Sequence, residues 1–238
     1  MSALLAGRPV VGAATGTVRG AWVTRARGAH RMLPGAGTAI AVTADGTARL
    51  YGPQARAWWA EVPGDSDVVG VDVRPGRLIG RLCPDVRDIV DQQVDLADVL
   101  SAAERRRFVD AVVAHDDEAE RVRALQRETV RVLGMPEPRV AGVERSLWSD
   151  PGTTVGALAR DAGVSQRQLH RLCTRAFGMS PSELRRLVRL ERFLMLTGGS
   201  PMTLARMASA AGYFDQQHLA RDCRMLADRT PAQLLHTC

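Results

Sequence analysis

Between Asp215 and Arg224 the chain reads DQQHLARDCR. Gln216, Gln217, His218 and Arg221 offer amides, an imidazole and a guanidinium where an ordinary surface helix would mix Glu with Arg. Arginine pairs bidentately with guanine and glutamine with adenine in the major groove, each good pair discriminating by roughly 1–3 kcal/mol. At helical spacing, Leu219, Cys223 and Leu226 fall on one face, and Gln217, Arg221 and Arg224 fall opposite. A second stretch, SQRQLHRLCTRA from Ser165 to Ala176, has the same design. Leu169, Leu172, Cys173 and Ala176 share one face there. Arg167, Arg171 and Arg175 lie opposite, beside Gln166 and Gln168. None of these three arginines has an acid four residues away, so the stripe is not a salt-bridged surface.

Something must hold these two faces outward, and the flanking sequence repeats to do so. LARDAGVS (158–165) matches MASAAGYF (207–214) at an offset of 49, and GMSPSEL (178–184) matches DRTPAQL (228–234) at an offset of 50. The second copy has one extra residue just after the glycine. Each copy predicts a helix, a glycine turn at Gly163 or Gly212, and a second helix, which is the helix-turn-helix pattern. Thr154 and Thr203 are placed to cap the first helices, Ser165 and Asp215 the second ones. SPSE (180–183) and TPAQ (230–233) then read as capping boxes with proline at the first helical position. Helix starts at Ser180 and Thr230 also present backbone N–H groups and a positive dipole end to a phosphate.

The charge distribution agrees. The 238-residue chain carries a net +6. From residue 151 to 238 there are twelve arginines and six acids, so the whole excess lies in that part. A basic C-terminal part suggests a polyanionic partner. All 32 basic residues are arginine, a compositional bias from which no function follows.

Residues 8–80 have a different texture. GTVRGAWVT, GTAIAVT, TARLYG and DVVGVDVRPG are short β-prone runs bounded by turn residues, and Asp45-Gly46 predicts a hairpin. Helical signals follow: Ser101 with Glu104 forms a capping-box pattern, and Val122, Leu125, Val130 and Leu133 recur near helical period. GMPEPR (134–139) breaks the pattern. The expected fold class is therefore α+β: a small β-rich N-terminal domain with trailing helices over 1–135, then an all-α domain of two helix-turn-helix units joined by a long helix over 136–238.

Cys83, Cys173, Cys223 and Cys238 have no paired spacing, which predicts neither a metal ligand set nor a disulfide framework. They read as small buried hydrophobes, except Cys238, expected free and exposed. MSALLAGRPVVG lacks a basic start and a long apolar run, and no stretch approaches a membrane span, so the chain is read as cytoplasmic, without a membrane partner.

Residues from about 140 to 238 resemble the DNA-binding domain of AraC-type transcription regulators. LARDAGVSQRQLHRLC, GMSPSELRRLVRLERFLML and LARMASAAGYFDQQHLARDCR followed by TP carry the resemblance. It implies recognition helices over Ser165–Ala176 and Asp215–Leu226, joined by a helix over about Pro181–Leu196, and double-stranded DNA as the ligand. It places Ser165, Gln166, Arg167, Gln168, Arg171, Arg175, Ser180, Asp215, Gln216, Gln217, His218, Arg221, Arg224 and Thr230 at the DNA. This chain departs from the family pattern in having Leu219 and Cys223 where phenylalanine is usual, and Asp228 where glycine is usual. HRMLPGAGTAIAVT (30–43) and VGVDVRPG (69–76) are similar to the β domain that precedes this module in one AraC-type subgroup. That similarity implies sensing, through a small-molecule effector, or homodimer formation, and the family adds RNA polymerase as a partner. No cofactor is implied.

Two other readings stand beside this one. A non-specific or architectural DNA-binding protein would need the charge but not the ordered Gln/Arg faces. A DNA alkyl-transfer repair protein can carry an AraC-type module, but its chemistry needs a zinc-bound cysteine. Cys83 is the sole cysteine of the N-terminal part and has no companion ligands. No P-loop, GxSxG or HExxH motif occurs.

Overall fold

Glycine-bounded runs of valine and alanine become strands in a computed structural model describing residues 8–9, 16–25, 28–62, 67–135, 137–197 and 202–235. The apolar start of the chain and Cys238 lie outside these residues. The strands are β1 (Arg8–Pro9), β2 (Val18–Thr24), β3 (Gly28–Met32), β4 (Thr38–Thr43), β5 (Ala48–Tyr51), β6 (Trp58–Val62), β7 (Val68–Val73) and β8 (Gln93–Asp95). Six of them form an antiparallel sheet in the order β1-β2-β7-β4-β5-β8, and β3 pairs with β6 in a separate ribbon. Asp45-Gly46 makes the expected hairpin between β4 and β5, with Gly46 at φ +84°.

Both faces of the sheet are covered. Ile40, Val42, Leu50, Val69 and Val71 pack on one side against Phe108, Val112, Val122 and Leu125. Ala39, Ala41 and Tyr51 pack on the other with Trp22, Met32 and Ala60. This explains why TAIAVT is buried at every position instead of alternating. Trp22 requires Gly70 opposite it: a Cβ there would lie 2.1 Å from the indole ring. The indole N–H donates to Asp72 at 3.1 Å, so the buried tryptophan is satisfied.

The helices are α1 (Ala102–Val113), α2 (Glu118–Leu133), α3 (Pro138–Ser149), α4 (Val155–Asp161), α5 (Gln166–Phe177), α6 (Pro181–Thr197), α7 (Leu204–Ala210), α8 (Gln216–Ala227) and α9 (Pro231–Leu235). The Ser101–Glu104 capping box starts α1 as expected. α1 and α2 cover the sheet, and α3 to α9 share a second core built on Leu169, Cys173, Leu187, Leu190, Phe193, Leu219 and Cys223.

Two sequence expectations shift. Val130 is 38% exposed and Thr129 takes the buried place on α2, because Val122, Leu125, Thr129 and Val132 follow the helical period and Val130 falls at its edge. β8 lies beyond the β-rich region expected at 8–80. QVD is polar, and it forms a strand by pairing with Arg49, Leu50 and Tyr51 on the sheet edge rather than by its own propensity.

Candidate nucleic-acid interface

Four caps set the two helix-turn-helix units. Thr154 accepts from Ala157 N–H and Thr203 from Arg206 N–H, which starts α4 and α7. Ser165 accepts from Gln168 N–H and Asp215 from His218 N–H, which starts α5 and α8. Gly163 and Gly212 sit at φ +64° and +88° in the turns between. At Gly212 a second constraint operates, since a Cβ would lie 2.7 Å from Pro151.

The inward faces are as the spacing predicted. Leu169, Cys173 and Ala176 of α5 and Leu219, Cys223 and Leu226 of α8 are buried; Leu172 is half-buried. Burial pushes the thiols of Cys173 and Cys223 up to about 12, so both act as apolar anchors rather than nucleophiles. On the outward faces Ser165, Gln166, Arg167, Gln168, Arg171 and Arg175 are exposed, as are Asp215, Gln216, Gln217, Arg221 and Arg224. Among the described residues Arg167, Arg171 and Arg221 have no ion-pair partner. Gln216, Gln217, Arg221 and Arg224 line an open groove of about 830 Å³ whose far wall is Thr230, Pro231 and Ala232 at the start of α9.

Several side chains on these faces already have partners. The Gln168 carbonyl accepts from the Ser165 amide at 2.9 Å in a capping box, which leaves its NH2 group to face outward. Arg175 turns to the sheet domain, its Nε donating to the Pro84 carbonyl at 3.3 Å. His218 is half-buried: its ring meets Tyr213 edge-on, and Nε2 lies 3.9 Å from Asp222. Ser180 and Thr230 are half-buried and close capping boxes with Glu183 and Gln233. Each box engages its cap and third-position amides, and proline supplies none, so a phosphate finds at most one first-turn N–H at either start.

Sequence reasoning missed what lies behind the second unit. Asp222, buried in α8, faces Arg189 of α6 at 3.7 Å, and the Arg189 guanidinium stacks over Tyr213 at 5.3 Å. Asp222 inside the stretch ARDCR was legible as an acid on the apolar face, and that was the available signal. The other missed feature is the contact with the sheet domain. Ala57 N–H donates to Leu226 O at 2.8 Å and Arg31 to Ala227 O at 2.5 Å, satisfying carbonyls at the end of α8. Gly178, which ends α5 at φ +73°, packs so closely on Val90 that a Cβ would come within 2.3 Å of it. Both α5 and α8 thus rest their C-terminal ends on the β domain.

Residues 158–237 match the family described as Helix-turn-helix domain. The chain carries an AraC-type helix-turn-helix domain. This is a DNA-binding domain of transcription regulators, and its two units are the repeat that the sequence displays. Among solved structures, a transcriptional regulator of the AraC type from Chromobacterium violaceum is similar over 42% of this chain and 91% of its own, at 22% identity and a TM-score of 0.40. A structure of apo ToxT from Vibrio cholerae is similar over 91% of this chain and 97% of its own, at 9% identity and a TM-score of 0.52. Another ToxT structure from Vibrio cholerae gives 91%, 98%, 9% and 0.51. The ToxT likeness shows a shared fold, a sheet domain followed by a helical domain. No curated protein matches the chain. Among the described residues, no helix is long and apolar enough to cross a membrane.

Proposed function

We propose that this protein is a sequence-specific transcription regulator that reads double-stranded DNA with α5 and α8. One chain lays the two helices into successive major-groove segments on one face of the duplex, about 34 Å apart. The observation that carries this reading is the pair of exposed Gln/Arg faces, each mounted on a capped helix with a buried Leu/Cys anchor. The units are translated copies, so the site reads as two unlike sub-sites in direct order. Arg167, Arg171, Gln217 and Arg221 contact bases, with Gln166 and Gln216 beside them. Gln168 joins them through its free NH2, and His218 through the edge turned from Asp222. Arg175, Arg224, Ser180 and Thr230 serve the phosphate backbone, while Ser165 and Asp215 fix the helix starts.

Residues 136–238 form the DNA-binding unit in this reading. Residues 1–135 form the part that senses a small effector or makes a homodimer, and the contacts at Leu226, Ala227 and Pro84 give that part a path to both recognition helices. RNA polymerase is the onward partner, the compartment is the cytoplasm, and no reaction is catalysed. At Cys83, burial raises the thiol, its Sγ donates to Asp85 O at 2.7 Å, and it offers no activated nucleophile.

The test is selection of duplexes from a random pool by the full-length protein at near-physiological salt. The expected result is one enriched site of about 15–20 base pairs holding two sub-sites a turn apart. Salt-sensitive binding with no enriched site would replace this reading by that of a non-specific DNA-binding protein.

A further inference from the structure

The second helix-turn-helix unit is one residue longer than the first, and the structure identifies that residue. Val164 N–H bonds to Ala159 O, and Tyr213 N–H bonds to Ala208 O, so Val164 and Tyr213 hold equivalent places after the turn glycine. The first unit then reaches its cap, Ser165, at once. The second inserts Phe214 before its cap, Asp215.

Phe214 is 93% exposed. Leaving such a ring in water forgoes the burial that drives most phenylalanines inward, and no feature of the fold requires it. Tyr213 takes the inward position beside it and is buried. The Asp215 side chain caps α8 through the His218 amide at 2.7 Å without help from Phe214. The ring therefore projects beside the N-terminal end of α8, next to the exposed Gln216 and Gln217. In helix-turn-helix proteins that end of the recognition helix contacts base edges. The base edges of the major groove carry a single apolar group, the C5-methyl of thymine, and phenylalanine is one of the side chains that contact it.

We propose that Phe214 reads a thymine in the second sub-site through its C5-methyl group; this rests on the DNA-reading function proposed above. Its neighbours argue for DNA rather than protein as the occupant. The residues that follow it are Asp215, Gln216 and Gln217, and Arg221 lies one turn further on, all exposed and polar. A protein-docking site would need a contiguous apolar patch, and a single ring set among polar residues is not one.

The experiment uses the full-length protein and the duplex it selects, with each thymine replaced in turn by deoxyuridine. That change removes the methyl group and leaves base pairing intact. For the native protein, one replacement in the second sub-site should weaken binding roughly fourfold, the effect of returning about one methyl group to water. Phe214→Ala should bind the all-thymine duplex that same factor more weakly and be indifferent to that one replacement. Phe214→Leu should keep part of the discrimination. Circular dichroism and thermal melting of the variants should match the native protein, since Phe214 has no packing to lose. If every replacement acts equally on native protein and Phe214→Ala, or if none acts on either, the proposal is overturned, and a Phe214→Ala defect confined to transcription would reassign the ring to a protein contact. Failure to select any duplex would be a separate result, removing the DNA-reading function and this inference with it.

Discussion

Glu191, in the middle of the helix that joins the two helix-turn-helix units, is 4% exposed and pairs with Arg19 of the sheet domain at 2.5 Å. Its other carboxylate oxygen accepts from the Ala36 amide at 2.6 Å. Arg19 also lies over the Trp148 ring at 5.5 Å. A carboxylate this deep is tolerable because both oxygens are bonded; removing one partner of such a pair strands the other.

Glu191→Gln keeps an acceptor for Ala36 and should cost about 1–3 kcal/mol of stability. Arg19→Met leaves a buried carboxylate with one neutral donor and should cost about 3 kcal/mol. Combining Glu191→Gln with Arg19→Met should cost less than the sum, because no buried charge is left unpaired. Urea unfolding of the four full-length proteins measures this, and strictly additive losses would show that the two residues do not act as a pair.

How much of this was legible beforehand differs between the halves. The exposed Gln/Arg faces of α5 and α8 were, because a helix repeats every 3.6 residues and a buried Leu or Cys fixes which side an Arg occupies. Ser165, Asp215, Gly163 and Gly212 were legible for a similar reason: caps and left-handed turns demand particular side chains at particular places. Glu191 was not. Its neighbours in the stretch LERFLML show only an acid inside an apolar run, and its partners lie 172 and 155 residues away. β8 was missed because pairing with a distant strand overrode local pattern, and Val130 because an apolar residue stands beside the polar Thr129 that the helical period turns inward. Gln168 and Arg175 read correctly as exposed, but the cap and the Pro84 carbonyl that hold them belong to tertiary geometry.

The two capping boxes after α5 and α8 differ in one way that pH can reveal. Glu183 closes the first, and hydrogen bonds from Ser180 hold its carboxyl below the usual range. Gln233 closes the second and does not titrate. A depressed carboxyl contributes stability above its unfolded pKa of about 4.3, and loses it as pH falls through the lower folded value. The native protein should exceed Glu183→Gln by about 0.5 kcal/mol at pH 7, a figure already reduced for solvent screening. The difference should shrink toward zero below pH 4. Urea unfolding at pH 7, 5 and 3.5 follows it, and a constant difference would mean that the charge of Glu183 has no part in the cap.

The helix ends differ as well. Gly178 ends α5 in the left-handed region, while Asp228 ends α8 at φ 49°, ψ 37°. A side chain there is strained by about 1–2 kcal/mol, partly offset by the lower entropy of the unfolded chain. The Asp228 carboxylate is 92% exposed and 3.6 Å from Arg31, so little is lost with it. Asp228→Gly should therefore raise stability by about 0.5 kcal/mol and Tm by about 1–2 °C. Calorimetry at neutral pH checks this; a lower Tm would show that the Arg31 contact outweighs the backbone strain.

Arg221 and Arg175 separate base reading from exposure. Both are exposed arginines, on α5 and α8, but Arg175 bonds to Pro84 O and Arg221 has no ion-pair partner among the described residues. A guanidinium bidentate to guanine carries about 1–3 kcal/mol of discrimination at one base pair, whereas a phosphate contact weakens all sequences alike and lowers the salt dependence by about one unit. Arg221→Ala should relax preference at one position of the selected site, costing roughly 5- to 150-fold on the best sequence and far less on a duplex already changed there. Arg175→Ala should leave the order of sequence preference unchanged and at most reduce affinity uniformly. Titrating both variants against the selected duplex and its single-base substitutions at two salt concentrations distinguishes the two. A uniform loss for Arg221→Ala across all sequences would place Arg221 on the backbone and remove it from the residues that read bases.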